Sequence, residues 1–220
     1  EKIGEEYLIP LVGGPWNSPE EIDFDLLPDQ FVLKCTHDSG GVVICKDKSK
    51  LDIPAVKAKL CKHLKRNYYW TNREWPYKNV PPRIIAEKYM EDETGGLKDY
   101  KVMCFSGEPK LIQLHMGRFV KHTQDFYDTR WKRQDIFQGE PMADELTPRP
   151  GFLDDMLKMS SEISKKFPHI RVDWYGIEGK LYLGELTMYD GSGLYAFEPK
   201  EWDFKLGSWI ELPGKVTLYE

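Results

Sequence analysis

The chain has 220 residues, 40% of them hydrophobic and 30% charged, with a formal net charge of −5. That length supports one large domain or two small lobes with a real core. The acidic balance argues against a protein that lives on nucleic acid, and no apolar run reaches the length of a membrane span, nor is a signal peptide visible.

Tyr7–Val12 reads as a short apolar strand ending at Gly13-Gly14-Pro15. Ser18-Pro19-Glu20-Glu21 carries an N-cap, a proline at the first helical position and two acids, so a helix of one or two turns is predicted there. Gln30–Cys35 and Val42–Cys45 are predicted strands joined by His37-Asp38-Ser39-Gly40-Gly41. A glycine-rich loop between two strands suits a flap whose backbone N–H groups wrap a polyphosphate, with Lys34 in reach of the same anion; a plain turn is the simpler alternative. Leu51–Tyr69 has helical periodicity through Ile53, Val56, Leu60 and Leu64, with lysines on the outer face. An aromatic, irregular connector follows from Asn67 to Pro82, and Arg83–Met90 is a strand.

Asp99–Phe105 and Pro109–Met116 form a predicted hairpin turned by Ser106-Gly107-Glu108. Arg118–Gln138 is basic and aromatic without clear periodicity; it covers a site, binds acidic sugars, or is a surface loop. Phe152–Phe167 is an amphipathic helix through Met156, Met159, Ile163 and Phe167, and the aromatic tail from Tyr195 to Glu220 is expected to pack on the body. The four cysteines, Cys35, Cys45, Cys61 and Cys104, lack metal-ligand spacing and read as reduced thiols of a cytoplasmic protein, a Cys35–Cys45 disulfide being the minor alternative. The chain opens at Glu1 rather than Met, as expected of a piece of something longer.

The chemistry concentrates in Ile170–Gly193. Arg171–Tyr175 and Leu181–Met188 alternate as two strands of a hairpin, joined by a four-residue connection, Gly176–Gly179. Period two puts Arg171 and Asp173 on one face, and Glu185 and Thr187 on one face of the partner strand. Two carboxylates beside an arginine are costly to bury without a cation, which a pair of Mg²⁺ ions holding phosphate oxygens would supply. An ion-paired, exposed hairpin face is the plain alternative.

Lys34 closing an apolar strand, the Ser39-Gly40-Gly41 loop, Glu87-Lys88-Tyr89-Met90, Asp99-Tyr100-Lys101, Arg171-x-Asp173 and Glu185-x-Thr187 occur in one order. Together the stretches FVLKCTHDSGG, RIIAEKYMED, DYKVMCFSGEPK and RVDWYG…GELT resemble the ATP-grasp superfamily, and most closely its TupA-like branch, named for teichuronopeptide biosynthesis. The resemblance runs from about Tyr7 to Leu212. It implies an α+β fold of two lobes with antiparallel sheets clasping ATP: residues 1–90 the small lobe with flap and hinge strand, 91–220 the large lobe with the metal-binding hairpin. It also implies the reaction: a carboxylate and ATP give an acyl phosphate, which an amine converts to an amide.

By the same resemblance Lys34 would contact the α and β phosphates, with Asp38, Ser39, Gly40 and Gly41 in the flap over the β and γ phosphates. Glu87, Lys88, Tyr89 and Met90 would form the hinge at the adenine, and Asp99 would approach the ribose, with Glu91 and Glu93 as rivals. Asp173 and Glu185 would hold Mg²⁺, with Thr187 where the family commonly has Asn, and Asp190 close enough to assist. Arg171 and Lys101 would steady the transferring phosphoryl or the acceptor carboxylate. The implied partners are ATP, an acidic sugar or polysaccharide precursor and an amine such as an amino acid; Arg118, Arg130, Lys121 and His115 are candidates to face the acceptor. The resemblance further implies that full-length relatives usually carry a preceding domain and an upstream lysine in the nucleotide pocket, and the sequence in hand is expected to start downstream of both. The rival functions are a phosphotransferase using the same ATP site, a non-catalytic carbohydrate-binding module, and a glycosidase on Asp173 and Glu185, for which the sequence offers no apolar pocket to keep one carboxyl protonated.

Overall fold

The computed structural model describes residues 3–93, 95–118, 120–212 and 214. Two compact units are present: Ile9–Met90, and Glu91 onward together with the segment up to Leu8. Each unit is built on one antiparallel sheet with helices beside it, an α+β architecture.

The first unit contains β1 (Leu11–Trp16), β2 (Phe31–Cys35), β3 (Val42–Cys45), α1 (Ile53–Leu64), the single turn α2 (Tyr69–Asn72) and β4 (Ile84–Lys88), with sheet order β1-β4-β2-β3. Phe31, Leu33 and Cys35 of β2 alternate into the core, where Val56 and Leu60 of α1 meet them. The helix starts where the Asp52 carboxylate accepts the Ala55 N–H at 2.9 Å, a side-chain cap for an otherwise orphaned donor. It is shorter at both ends than the predicted Leu51–Tyr69. Opposite the helix lies an open sheet face. Register puts Leu11, Val32, Lys34, Val42, Ile44, Ile85 and Glu87 there, apolar except for the lysine and glutamate. Gly14 lets β1 approach β4: a Cβ there would lie 2.8 Å from the Ile84 carbonyl oxygen, and its φ is +92°. The predicted helix at Ser18 is one 3₁₀ turn, Pro19–Glu21, with the Ser18 hydroxyl accepting the Glu20 N–H.

The second unit contains β5 (Asp99–Phe105), β6 (Glu108–Met116), β7 (Thr123–Tyr127), β8 (Arg133–Gln134), α3 (Leu153–Ser164), β9 (His169–Ile177), β10 (Lys180–Thr187) and α4 (Glu201–Ser208). Sheet order is β10-β9-β5-β6-β7-β8. On one face Val102, Cys104, Ile112, Leu114, Val172 and Trp174 pack under Leu153, Met156 and Ile163 of α3. The buried Trp174 indole N–H is satisfied by the Ser160 hydroxyl at 2.8 Å. The other face divides along β5: Met103 and Phe105 lie in an apolar cluster with Leu206 of α4, Trp202 and Trp209, whereas Asp99 and Lys101 continue the same face as a polar floor.

Some expectations need correction, whereas the reduced cysteines and the packed tail are as expected. Arg118–Gln138 is no loop: it holds β7, buried along its whole length, and β8. The tail forms α4, and its described part packs Phe197, Trp202 and Trp209 on the apolar end of the sheet; Pro213 and 215–220 lie outside the described residues. The Ile170–Gly193 hairpin has a tight two-residue turn, Glu178-Gly179, both at positive φ, instead of a four-residue connection. All four cysteines are free, and Cys45 faces Phe31, not Cys35, across β2 and β3. Burial raises the Cys35 thiol to about 11, with Asp38 adding to the shift, and raises Cys104 to about 12, so both stay protonated. No helix among the described residues is long and apolar enough to cross a membrane.

Candidate functional site

In β9 the sequence Ile170-Arg-Val-Asp-Trp174 sends Ile170, Val172 and Trp174 into the core and leaves Arg171 and Asp173 on the polar floor. In β10 the pairing shifts by one residue between Leu183 and Glu185. Leu181 and Leu183 share the core face with Trp174; past the bulge, Glu185 stands opposite Asp173 and Thr187 opposite Arg171. Without the extra residue, Gly184, the alternation would carry Glu185 to the core face. The bulge therefore decides which side the second carboxylate takes.

Asp173 is only 2% exposed and accepts three charged hydrogen bonds. Arg171 grips it with Nε on Oδ1 at 2.7 Å and Nη2 on Oδ2 at 2.8 Å, and Lys101 donates to Oδ2 from the neighbouring strand. Lys101 also pairs with Asp99 at 2.8 Å, and Arg118 reaches the same Asp99 oxygen at 3.0 Å. Arg171 extends its remaining donors to Asp190 and, at 3.1 Å, to the Thr187 hydroxyl. The result is a buried lattice of alternating charge in which the bidentate Arg171 grip fixes geometry.

The electrostatics follow from this packing. Burial alone would push the Asp173 carboxyl up, but Lys101 and Arg171 outweigh it and hold the group below the usual carboxylate range. Asp99, equally buried and close to the Asp173 charge, moves the other way, because desolvation wins over Lys101. Burial disfavours charge on Arg171, yet Asp173 beside it more than compensates and raises it. Next to this lattice, His115 is pushed down to about 3 by burial and then by Lys101, so it is a neutral imidazole. It meets His122 at 2.9 Å, and His122 in turn meets Glu140 at 3.1 Å.

In the unit Ile9–Met90, Lys34 pairs with Glu87 on the open sheet face. The glycine-rich loop closes through the Cys35 N–H donating to the Gly41 carbonyl at 2.9 Å, leaving Ser39 and Gly40 exposed. Gly40 needs its φ of +97° for this turn, and Gly41 packs so closely on Cys35 and His63 that a Cβ would lie 2.9 Å from Cys35 Cβ. The Asp38 side chain does not accompany them. It is fully buried, paired with His63 of α1 and 3.8 Å from Arg66, and so anchors the loop to the helix. Lys88 and Tyr89 line an open cleft with Val12, Gln30 and Lys46, and the Lys46 ammonium sits 5.3 Å from the Tyr89 ring centre.

The anchor gives a direct expectation. His63→Ala leaves a buried carboxylate with only the distant Arg66, costing about 1–3 kcal/mol and speeding amide exchange in residues 36–41 more than elsewhere in the unit. His63→Gln, which can still donate to Asp38, restores most of the protection. Unchanged exchange in the alanine variant removes the anchor from the account.

The residues thus fall into two groups, each within one unit. Arg171, Asp173, Lys101, Asp99 and Thr187 form one connected set, with Glu185 in register; Lys34 and Glu87 form a pair near the exposed loop. Of the acceptor candidates, Arg118 and His115 adjoin the charge lattice, whereas Lys121 pairs with Asp144 and Arg130 is exposed on the β7–β8 turn. The His115–His122–Glu140 chain went unpredicted because its members lie on different strands and loops.

Among the described residues no three His, Cys, Asp or Glu side chains gather as a metal cage. Mg²⁺ does not need one, since it commonly takes one or two carboxylates and completes its shell with phosphate oxygens and water. Asp173 uses three of roughly four acceptor positions, Glu185 stands across from it, and the buried Asp99 Oδ1 has no hydrogen-bond partner. The donor set fits a hard cation carrying its own phosphate ligands.

No curated protein matches the chain significantly. Solved structures similar to it include D-alanine–D-alanine ligase from Bacillus anthracis complexed with ATP, at 15% identity and a TM-score of 0.43, covering 82% of this chain and 48% of that one. N5-carboxyaminoimidazole synthase from Aspergillus clavatus, with ADP and 5-aminoimidazole ribonucleotide, has 14% identity and a TM-score of 0.45, covering 86% and 43%. The ATP-grasp ligase PsnB, complexed with minimal precursor, Mg and ADP, has 11% identity and a TM-score of 0.41, covering 93% and 54%. The chain spans about half the length of these structures. The family model described as TupA-like ATPgrasp matches residues 1–211, and the chain belongs to that family.

Proposed function

We propose that the chain is an Mg-ATP-dependent carboxylate–amine ligase working by way of an acyl phosphate, with a uronic-acid carboxylate of a surface polysaccharide or its precursor as acceptor. Family membership supports the reaction class. The observation that carries it is Arg171 and Lys101 flanking Asp173 on a polar strand face with Glu185 in register. Cations held beside metal-type carboxylates are the positioning and charge neutralisation that phosphoryl transfer demands.

In this reading Asp173 and Glu185 hold Mg²⁺, with Thr187 or Asp190 assisting. The ion supplies charge neutralisation on the phosphate oxygens. Arg171, planar and fixed by two bonds to Asp173, holds the acceptor carboxylate or the transferring phosphoryl oxygens, and Lys101 adds a point charge on the same floor. Lys34 contacts phosphate after exchanging its Glu87 partner for the nucleotide, and the Ser39-Gly40-Gly41 backbone, exposed at Ser39 and Gly40, covers phosphate oxygens. Glu87, Lys88, Tyr89 and Met90 take the base, and Asp99 the ribose. Residues 9–90 are the small lobe of this scheme and those from Glu91 the large one.

Calorimetric titration with Mg-ADP tests the nucleotide half. Lys34→Met is expected to weaken binding by roughly 10- to 100-fold, the loss of one charge-assisted contact. Mass spectrometry of products from ATP, uronate acceptors and amines tests the rest. An amide with ADP and phosphate is expected; a stably phosphorylated acceptor would establish a phosphotransferase, and no Mg-ADP binding would sink both.

A further inference from the structure

Residues 57–83 hold eight lysines or arginines and one glutamate, a net charge of +7 in a chain whose total is −5. Within that stretch, residues 67–78 fold into a compact aromatic knot. Tyr68 packs edge-on against Tyr77 with ring centres 4.9 Å apart, and Tyr69 touches both Trp70 (5.0 Å) and Trp75 (5.4 Å). Asn67 staples it, accepting from the Tyr69 N–H and donating to the Lys78 carbonyl. Trp70 and Trp75 nevertheless stay 62% and 59% exposed. Each carries a cation over its ring: Arg73 at 4.9 Å from Trp70 and Lys78 at 4.1 Å from Trp75.

We propose that this face, formed by Tyr69, Trp70, Arg73, Trp75 and Lys78, docks an acidic glycan, a saccharide chain bearing carboxylates. A pyranose offers a flat C–H face to an indole while its carboxylate reaches the neighbouring cation, so rigid indoles flanked by cations match both features of one uronate unit. The inference rests on the acceptor reading above, which supplies an acidic saccharide, and adds a docking place for the saccharide chain besides the single carboxylate contact assigned to Arg171. A single-stranded nucleic acid fits less well: the rings meet at 71° and 52° rather than forming a ladder of parallel platforms, and the rest of the chain is strongly acidic. A membrane surface also fits less well, since residues 67–83 contain no Leu, Ile or Phe to bury in an apolar phase.

Titration of the full chain with oligogalacturonate, followed by tryptophan fluorescence, tests this. Saturable binding is expected that weakens with salt, falls about tenfold or more in the Trp70→Ala, Trp75→Ala double variant, and loses most of its salt dependence in Arg73→Gln, Lys78→Gln. The second pair guards against misfolding, because it alters only cations at the surface of the knot. Mg-ADP affinity, measured in parallel, should change less than about twofold in both variants. No saturable oligogalacturonate binding, equal binding in wild type and both variants, or tighter binding of oligothymidylate or phosphatidylglycerol vesicles overturns the proposal. Loss of Mg-ADP binding in the wild type, with oligogalacturonate still bound through the tryptophans, instead counts against the ligase reading alone.

Discussion

Asp173→Asn is expected to cost the protein stability and chemistry together. Asp173 is the shared counter-ion of Lys101 and Arg171, all three buried. Asparagine keeps the shape but removes the charge, leaving two desolvated cations with Asp99 and Asp190 to share. Breaking a buried pair on one side costs about 3–5 kcal/mol, a large part of the 5–15 kcal/mol typical of a whole domain. Urea denaturation near neutral pH should show the drop. The pH dependence identifies its origin. Asp173 has a folded pKa below its unfolded value of 3.8, so its contribution is fully present above that value and disappears as pH falls through the folded pKa. The gap between wild type and variant should therefore close on acidification below about pH 4. Asp99, shifted upward, works in the opposite sense: its contribution is present below 3.8 and is lost as pH rises through its folded pKa, which offsets part of the acid loss. A cycle with Lys101→Met should be strongly non-additive, since removing a cation as well leaves less unpaired charge. Equal stability of Asp173→Asn and wild type at neutral pH would overturn the account of the lattice.

The same lattice explains what the sequence could and could not disclose. Arg171, Asp173 and Lys101 were legible because period two fixes the face of a strand residue once its neighbours are apolar: Val102, Val172 and Trp174 mark the core side without ambiguity. Glu185 was placed on the correct face by a simpler argument than the structure uses. Leu181 and Leu183 set one apolar parity, and Leu186 and Met188 set the opposite one, so the strand cannot alternate straight through. That switch, falling at Gly184, is the signature of a bulge, and it was visible in the residues. β7 was hidden for another reason. Gln124 and Asp125 are buried polar groups, so no apolar alternation exists to find; Asp125 is tolerated through the Ala143 N–H at 3.2 Å and Arg133 at 3.6 Å. The direction of the Asp38 side chain depends on His63 and Arg66, 25 and 28 positions further along the chain, and no local pattern encodes it. α4 was obscured because only Leu206 and two aromatics stand among its charges, and its partner surface, Met103 and Phe105, belongs to a strand nearly a hundred residues earlier.

Glu185→Gln should separate chemistry from folding where Asp173→Asn mixes them. Glu185 is exposed on β10, the last strand of its sheet, opposite Asp173 but outside the ring of three contacts that Asp173 makes. Its charge favours the charged form of Arg171, an exposed ion-pair contribution of about 0–1 kcal/mol, so the melting curve should move only slightly compared with that of Asp173→Asn. If Glu185 is a metal-holding carboxylate, the neutral amide supplies a weaker oxygen ligand and one less negative charge against a divalent cation, and the phosphate oxygens lose their neutralising partner. ADP release in the presence of acceptor and amine should then fall by roughly 100-fold or more, the scale seen when one preorganised electrostatic contact to a transition state is removed. The Mg²⁺ concentration needed for half-maximal rate should rise as well. Wild-type turnover with an unchanged Mg²⁺ requirement would remove Glu185 from the metal site and leave Asp173 bound to its two cations as a structural ion pair.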